Sequence, residues 1–195
     1  MKMIGSGAEA KVYSANLFGI EMVVKERLPK NYRIGEIDEE LRETRTKREA
    51  KILYELDSLG VNAPKLLGVG RFSIYVNRIE GRLLTDDKIG HVDFGKIGEQ
   101  LGLMHNGNIA HGDFTPANVM KLGSEYFVID FGLSEITSSA EEKAIDLLLM
   151  KRAINEKCYR DFGRGYAKVS KDSKRIFERL HKIEKRGRYQ ARSIA

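Results

Sequence analysis

A short hairpin with oxygen-rich ends constrains this chain more than any other feature. Val119-Met120-Lys121-Leu122 and Glu125-Tyr126-Phe127-Val128-Ile129 flank Gly123-Ser124, the pattern of two strands on a two-residue turn. Pairing Leu122 with Glu125 and counting outward sets Asn118 opposite Ile129, one residue from Asp130. An amide oxygen and a carboxylate are thereby held side by side at the open end of a rigid ribbon. Mg2+ takes oxygen ligands of this kind and completes its shell with phosphates and water. The chain enters the ribbon through His111-Gly112-Asp113-Phe114-Thr115-Pro116-Ala117-Asn118, which adds a second carboxylate, and leaves it as Asp130-Phe131-Gly132.

The sequence before the hairpin reads as β structure first. Lys11–Ala15 and Ile20–Lys25 are strand-like runs with a Gly19 turn signal between them. Residues 35–59 read as one long charged helix with Ile37, Leu41, Ile52, Leu53, Leu56 and Leu59 near helical spacing, and Gly60 is its stop. Pro64–Gly70 and Phe72–Val76 read as two more strands, and Gly81 as a hinge mark. A helix over residues 91–105 follows, with Phe94, Ile97, Leu101 and Met104 on one face and Asn106-Gly107 ending it. After the hairpin the pattern is helical, and Ala144–Met150 is apolar nearly all round, which predicts a buried helix. Asp146 inside that helix needs a partner, because an unpaired buried carboxylate is costly.

Other features narrow the class. The net charge of +6 divides into −4 over Met1–Met150 and +10 over Lys151–Ala195, so the basic C-terminal part fits either a polyanion or an acidic partner. No run approaches the roughly 18 apolar residues of a membrane span, and the N-terminus has no apolar leader-like region. Cys158 is the single cysteine, so no internal disulfide forms and a reducing cytoplasm fits. His91 and His181 show no metal-ligand spacing, and no zinc site is expected. Gly5-Ser6-Gly7-Ala8-Glu9-Ala10-Lys11-Val12 is followed by strand-like residues and preceded by only four. A dinucleotide-binding turn would need a strand before it and a helix after it.

In combination these segments resemble a protein kinase. Asp113 and Asn118 are spaced as in a kinase catalytic loop, Asp130-Phe131-Gly132 matches the metal-binding Asp-Phe-Gly motif, and Met22-Val23-Val24-Lys25 is similar to the strand carrying the phosphate-binding lysine. Gly5–Val12 is similar to the glycine-rich strand, with Ala10 at the third glycine position. Gly7-Ala8-Glu9-Ala10, Arg45-Thr46-Lys47-Arg48-Glu49-Ala50, His111-Gly112-Asp113, Ile79-Glu80-Gly81 and a final Arg186-Gly187-Arg188 resemble one family over residues 3–188. That family is the small atypical kinase subunit of the KEOPS (EKC) complex, the PRPK family.

The resemblance implies an α+β, minimal bilobal protein-kinase-like fold: N-lobe 1–77, hinge 78–80, C-lobe 81–182 and a basic tail over 183–195. It implies ATP and Mg2+ as cofactors. Ile4, Gly5, Ser6, Gly7, Ala8, Glu9, Ala10, Val12, Lys25, Glu49, Asn77 and Ile79 would contact the nucleotide, Asn118 and Asp130 the metal, and Asp113 with Lys25 would be catalytic. Glu49 is chosen as the partner of Lys25 over the nearby Glu43 and Glu55 on the resemblance rather than on helix spacing. Asp146 would brace the catalytic loop, and His111 would shape it. Implied partners are the KEOPS transferase subunit and a small subunit on the N-lobe, with tRNA a candidate for the basic tail; the implied process is threonylcarbamoyl-adenosine formation in tRNA.

Two features depart from regulated protein kinases. Thirteen residues separate Gly132 from Asp146 with no Ala-Pro-Glu motif, and Thr115 stands where many Ser/Thr kinases have a lysine. Both favour ATP hydrolysis over a dedicated protein kinase, and the family shares them. Ser134, Thr137, Ser138 and Ser139 are candidate phosphoacceptors or simply a solvated loop. The alternative activity is a small-molecule phosphotransferase of the aminoglycoside or choline kinase type, which usually adds a large helical substrate lobe. A non-catalytic scaffold would usually lose the lysine or a metal-binding aspartate.

Overall fold

The computed structural model describes residues 1–7 and 9–192, with side chains through Arg186; Ala8 and residues 193–195 lie outside the described residues. Strands β1 (Lys2–Ser6), β2 (Ala10–Leu17) and β3 (Ile20–Arg27) form an antiparallel meander. Helix α1 (Gly35–Ser58) follows, then β4 (Leu66–Val69) and β5 (Ser73–Asn77), which complete a five-stranded sheet in the order β1-β2-β3-β5-β4. The second part comprises β6 (Arg82–Leu83), α2 (Phe94–Asn106), β7 (Ile109–Ala110), a 3-10 turn at Pro116–Asn118, β8 (Val119–Leu122), β9 (Glu125–Val128), β10 (Glu135–Ile136), and helices α3 (Ala140–Ala153), α4 (Glu156–Val169) and α5 (Ser173–Arg192). The architecture is α+β, as expected, with sheet and helices segregated along the chain.

In β3 the alternation works as a strand buried on one face should: Met22 and Val24 are buried, with Val23 less so between them. Helix α1 departs from its apolar pattern. Ile37 and Leu41 are exposed, and Ala50, Ile52, Leu53 and Leu56 of the C-terminal half enter the core. The first half of the helix is held by charge instead: buried Asp38 accepts from Arg42 Nε at 2.6 Å and lies 3.4 Å from Arg33. Gly60, at φ 70°, ends α1 as expected. Its N–H donates to the Asp57 carbonyl and that of Val61 to the Leu56 carbonyl, which satisfies two otherwise orphaned carbonyls.

Helix α2 starts at Phe94 rather than at His91. The Asp93 carboxylate accepts from the N–H groups of Gly95 and Lys96, and this cap sets the start. The α2–α4 pair packs at backbone distance. A Cβ on Gly98 would sit 2.0 Å from the Phe162 carbonyl oxygen, and one on Gly165 would sit 1.9 Å from that of Gly95. Helix α3 is buried nearly all round, with Ala144, Asp146, Leu147 and Met150 fully covered. The core runs from Leu53 and Leu56 of α1 through Ile97 and Leu101 of α2 and Phe114 and Phe131 to Leu147 of α3 and Phe162 of α4. The backbone of α5 passes unbroken through residues 182 and 183. Among the described residues, no helix is long and apolar enough to cross a membrane.

Candidate active site

The hairpin has the register the sequence predicts. Leu122 pairs with Glu125 and Val119 with Val128, and the Ile129 N–H donates to the Asn118 carbonyl at 2.9 Å. Asp130 follows at φ 61°, in the left-handed region that Asp tolerates better than most residues. Asn118 and Asp130 both line a cleft of about 730 Å³ between the sheet and the helical part.

From the sheet side, Lys25 reaches into the same cleft. Its ammonium lies 2.7 Å from Glu49 Oε1 and 2.7 Å from Asp130 Oδ1. The structure thus pairs Lys25 with Glu49 rather than with Glu43, which bonds Lys47 and Arg71. Burial pushes the Asp130 carboxyl up, but the Lys25 ammonium and the Gly132 N–H outweigh it and hold the group below the usual carboxylate range.

Asp113 lies beside Asn118. The Asn118 amide nitrogen donates to Asp113 Oδ2 at 2.9 Å and to the Asp113 carbonyl at 2.8 Å. With its nitrogen spent on Asp113, the Asn118 amide has its oxygen left to ligate or accept.

The loop carrying Asp113 is fixed from below. Asp146 is fully buried and accepts from His111 N–H at 2.7 Å, Gly112 N–H at 2.8 Å and His105 Nε2 at 3.2 Å. Buried Asp146 thereby has the partners it needs and braces the loop. Gly112 is required here: its φ is +81°, and a Cβ would stand 2.6 Å from the Leu133 carbonyl oxygen. His111 shapes the loop. Its Nδ1 accepts from Asp113 N–H at 3.2 Å, which leaves Nε2–H to donate to the Ile129 carbonyl at 3.1 Å. Burial holds the His111 and His105 imidazoles neutral, against the smaller pull of Asp146. Ser134, weighed above as an acceptor, is buried and donates to the His111 carbonyl, while Ser139 caps α3.

Of the residues expected to contact nucleotide, Ile4, Val12, Lys25, Glu49, Asn77 and Ile79 line the cleft. Gly5 and Ser6 end β1, Ala10 begins β2 and Gly7 lies between them with its N–H donating to the Ala10 carbonyl; none of the four lines the cleft, and Ala8 lies outside the described residues. The Glu9 carboxylate meets Arg45, Arg27 and Arg33 instead. Sequence reasoning missed the apolar walls, Val23, Leu53, Ile74, Val76, Met120 and Phe131, whose burial looks like ordinary core until the cleft is seen. It also missed Arg27, the second partner of Glu49 at 2.5 Å; the signal was its place two residues after Lys25, on the same face of β3.

The donor set fits a magnesium nucleotide. Two protein oxygens side by side suit an ion that keeps water and phosphate in its shell. The cleft volume lies within the usual range for small-ligand sites, about 300–1,000 Å³.

Fold and site together define a protein-kinase-like chain. The Rio2 kinase of Chaetomium thermophilum, in a complex with ADP/Mg2+ and phosphoaspartate, superposes with a TM-score of 0.64 at 15% identity over 95% of this chain and 70% of its own. WaaP, solved with acyl carrier protein, gives 0.61 at 13% identity over 95% and 88%. By sequence, the KEOPS complex subunit Bud32 of Pyrococcus abyssi is 38% identical over 99% of this chain and 98% of its own length. The chain belongs to the Bud32 family. It also matches a probable bifunctional tRNA threonylcarbamoyladenosine biosynthesis protein of Methanobrevibacter smithii, 36% identical over 96% of this chain but only 36% of that protein. No family model matches the chain.

Proposed function

We propose that this chain is an ATP-dependent phosphotransferase or ATPase that works as a subunit of a KEOPS complex in tRNA threonylcarbamoyl-adenosine modification. The observation that carries the catalytic reading is the Lys25 ammonium bridging Glu49 and Asp130 at 2.7 Å each, in a cleft shared with Asn118. The complex and process rest on the family.

In this reading Glu49 sets Lys25 to hold the α- and β-phosphates of ATP, and the cleft near Asn77–Ile79 takes adenine. Asp130 and Asn118 would hold Mg2+, which when bound neutralises charge on the phosphates. The Asn118 amide fixes Asp113 Oδ2 and leaves Oδ1 to orient a water or a Ser/Thr hydroxyl in line with the γ-phosphorus. Asp113 accepts the proton as the new P–O bond forms and the bond to the β-phosphate oxygen breaks, releasing ADP. Lys25 and the backbone above it supply positioning and charge, the main resources for phosphoryl transfer. The transferase subunit and a small subunit on the sheet side are the proposed protein partners, tRNA is a candidate for the basic C-terminal segment, and the cytoplasm is the proposed compartment.

Phosphate release from Mg-ATP is the test, measured for the protein alone and with the transferase subunit and tRNA. Turnover that rises with the partners and disappears in Asp113→Asn supports an assembly-dependent ATPase. Transfer of label to protein without phosphate release would make the activity a kinase, and neither product would refute the reading.

A further inference from the structure

A chain of alternating charges leaves the candidate site at Lys25, passes through Glu9 of the glycine-rich turn and ends on α1. Asp130, Lys25, Glu49, Arg27, Glu9 and Arg45 follow one another with each sign opposite to the last. Lys25 and Arg27 project from one face of β3. Arg45 and Glu49, four residues apart, share one face of α1. Glu49 is buried and spends one oxygen on each cation of β3: Oε1 on Lys25 at 2.7 Å and Oε2 on Arg27 at 2.5 Å. Arg27 is itself 4% exposed, and its other nitrogen lies 3.7 Å from Glu9 Oε2. Glu9 then bonds Arg45, which returns the chain to α1 one turn before Glu49. The backbone repeats the link, since the Leu28 N–H donates to the Glu9 carbonyl at 3.3 Å.

We propose that Arg27 is a positioning residue that makes the placement of the glycine-rich turn and the setting of the Lys25–Glu49 pair one coupled event. A lysine partnered only by Glu49 would lose its alignment whenever it turned from Asp130 towards a phosphate. Arg27 keeps Glu49, and with it α1, in place through that turn. Through Glu9 the same guanidinium holds the strand end above the cleft. A planar fork can engage two carboxylates at once, whereas an ammonium on a flexible stem acts as a point charge. The guanidinium also borders the metal-side turn, since a Cβ on Gly132 would be 3.8 Å from its Nη2 and 3.1 Å from Lys25 Nζ. The catalytic consequence rests on the nucleotide reading above; the coupling itself does not.

The experiment therefore has two arms. The first is amide hydrogen exchange on the unliganded protein for Arg27→Lys, Arg27→Gln and Glu9→Gln, the last a mild change at a partly exposed site. The expected result is faster exchange at Gly7 and Ala10 together with Arg45–Glu49 in each variant, by about fivefold or more, because coupled segments open together. The charge-retaining Arg27→Lys restores the thermal midpoint better than Arg27→Gln does, without restoring protection at the turn. The second arm is the kinetic split. Arg27→Lys lowers kcat for phosphate release by about tenfold with a much smaller change in KM, the cost of a misaligned reacting group. The double variant with Glu9→Gln falls no further than the worse single one. Unchanged exchange at Gly7 in the Arg27 variants, or losses that multiply in the double variant, overturn the proposal. If the unmodified protein, with its partners present, yields neither phosphate nor labelled protein, the nucleotide reading fails, and the exchange arm alone decides the coupling.

Discussion

Replacing Asp146 should be among the most damaging single changes outside the cleft. The carboxylate is fully buried and accepts from the N–H groups of His111 and Gly112 and from His105 Nε2. Asp146→Ala strands all three donors. A buried donor without a partner costs about 1–3 kcal/mol, and with partial relaxation the three together should cost about 4 kcal/mol. In a chain of this size each kcal/mol moves the midpoint about 2–4 °C, so the expected fall is about 8–16 °C. Asp146→Asn keeps the volume but turns an NH2 towards backbone N–H groups, and should cost about 2 kcal/mol. Calorimetry and urea unfolding measure both, with phosphate release as the parallel reading of the loop. A loss below about 1 kcal/mol for Asp146→Ala would refute the claim that this carboxylate holds the Asp113 loop.

Other outcomes follow from the same geometry. Burial keeps His105 and His111 neutral in the fold, below their ordinary value of 6.5, so the unfolded chain takes up protons first as pH falls. Their contribution to stability is complete above about pH 6.5 and declines below it, whereas the loss from Glu9 and Asp130 begins only at carboxylate pH. The urea midpoint should drop between pH 7.5 and 5.5, and a flat profile would contradict the burial argument. Gly112→Ala forces a side chain into a left-handed φ against the Leu133 carbonyl, at about 1–2 kcal/mol for the backbone alone. A lowered midpoint with lost turnover is the expected result. Gly165→Ala drives a Cβ into the Gly95 carbonyl and should cost about 1–3 kcal/mol by thermal unfolding with no direct effect on the cleft.

The hairpin was legible because a two-residue turn fixes its register, and the register fixes where Asn118 and Asp130 fall. The buried α3 was legible because apolar residues surround it. The first half of α1 was not, because Ile37 and Leu41 mimic a core stripe while buried Asp38 with Arg33 and Arg42 is what holds the segment. Helical period reports where apolar residues recur and is blind to ion pairs. The pairs β6–β8 and β7–β10 were missed for a related reason: strands of two residues carry too little alternation to register. The link from Glu9 to Arg27 joins residues whose contact depends on the sheet, so spacing alone could not reveal it. Glu49 was singled out by family resemblance, and only the fold explains why it and not Glu43 faces Lys25.

The central claim is that the cleft between sheet and helices takes ATP together with Mg2+ through Lys25, Asn118 and Asp130. Isothermal titration of ATP into the intact protein, with Mg2+ and with EDTA, and into Asp130→Ala, tests it most directly. The account predicts magnesium-dependent binding with Kd within about 1 μM–1 mM, the range common for enzyme substrates, weakened about tenfold or more in the variant and by EDTA. No binding, or binding that neither EDTA nor Asp130→Ala alters, would contradict it.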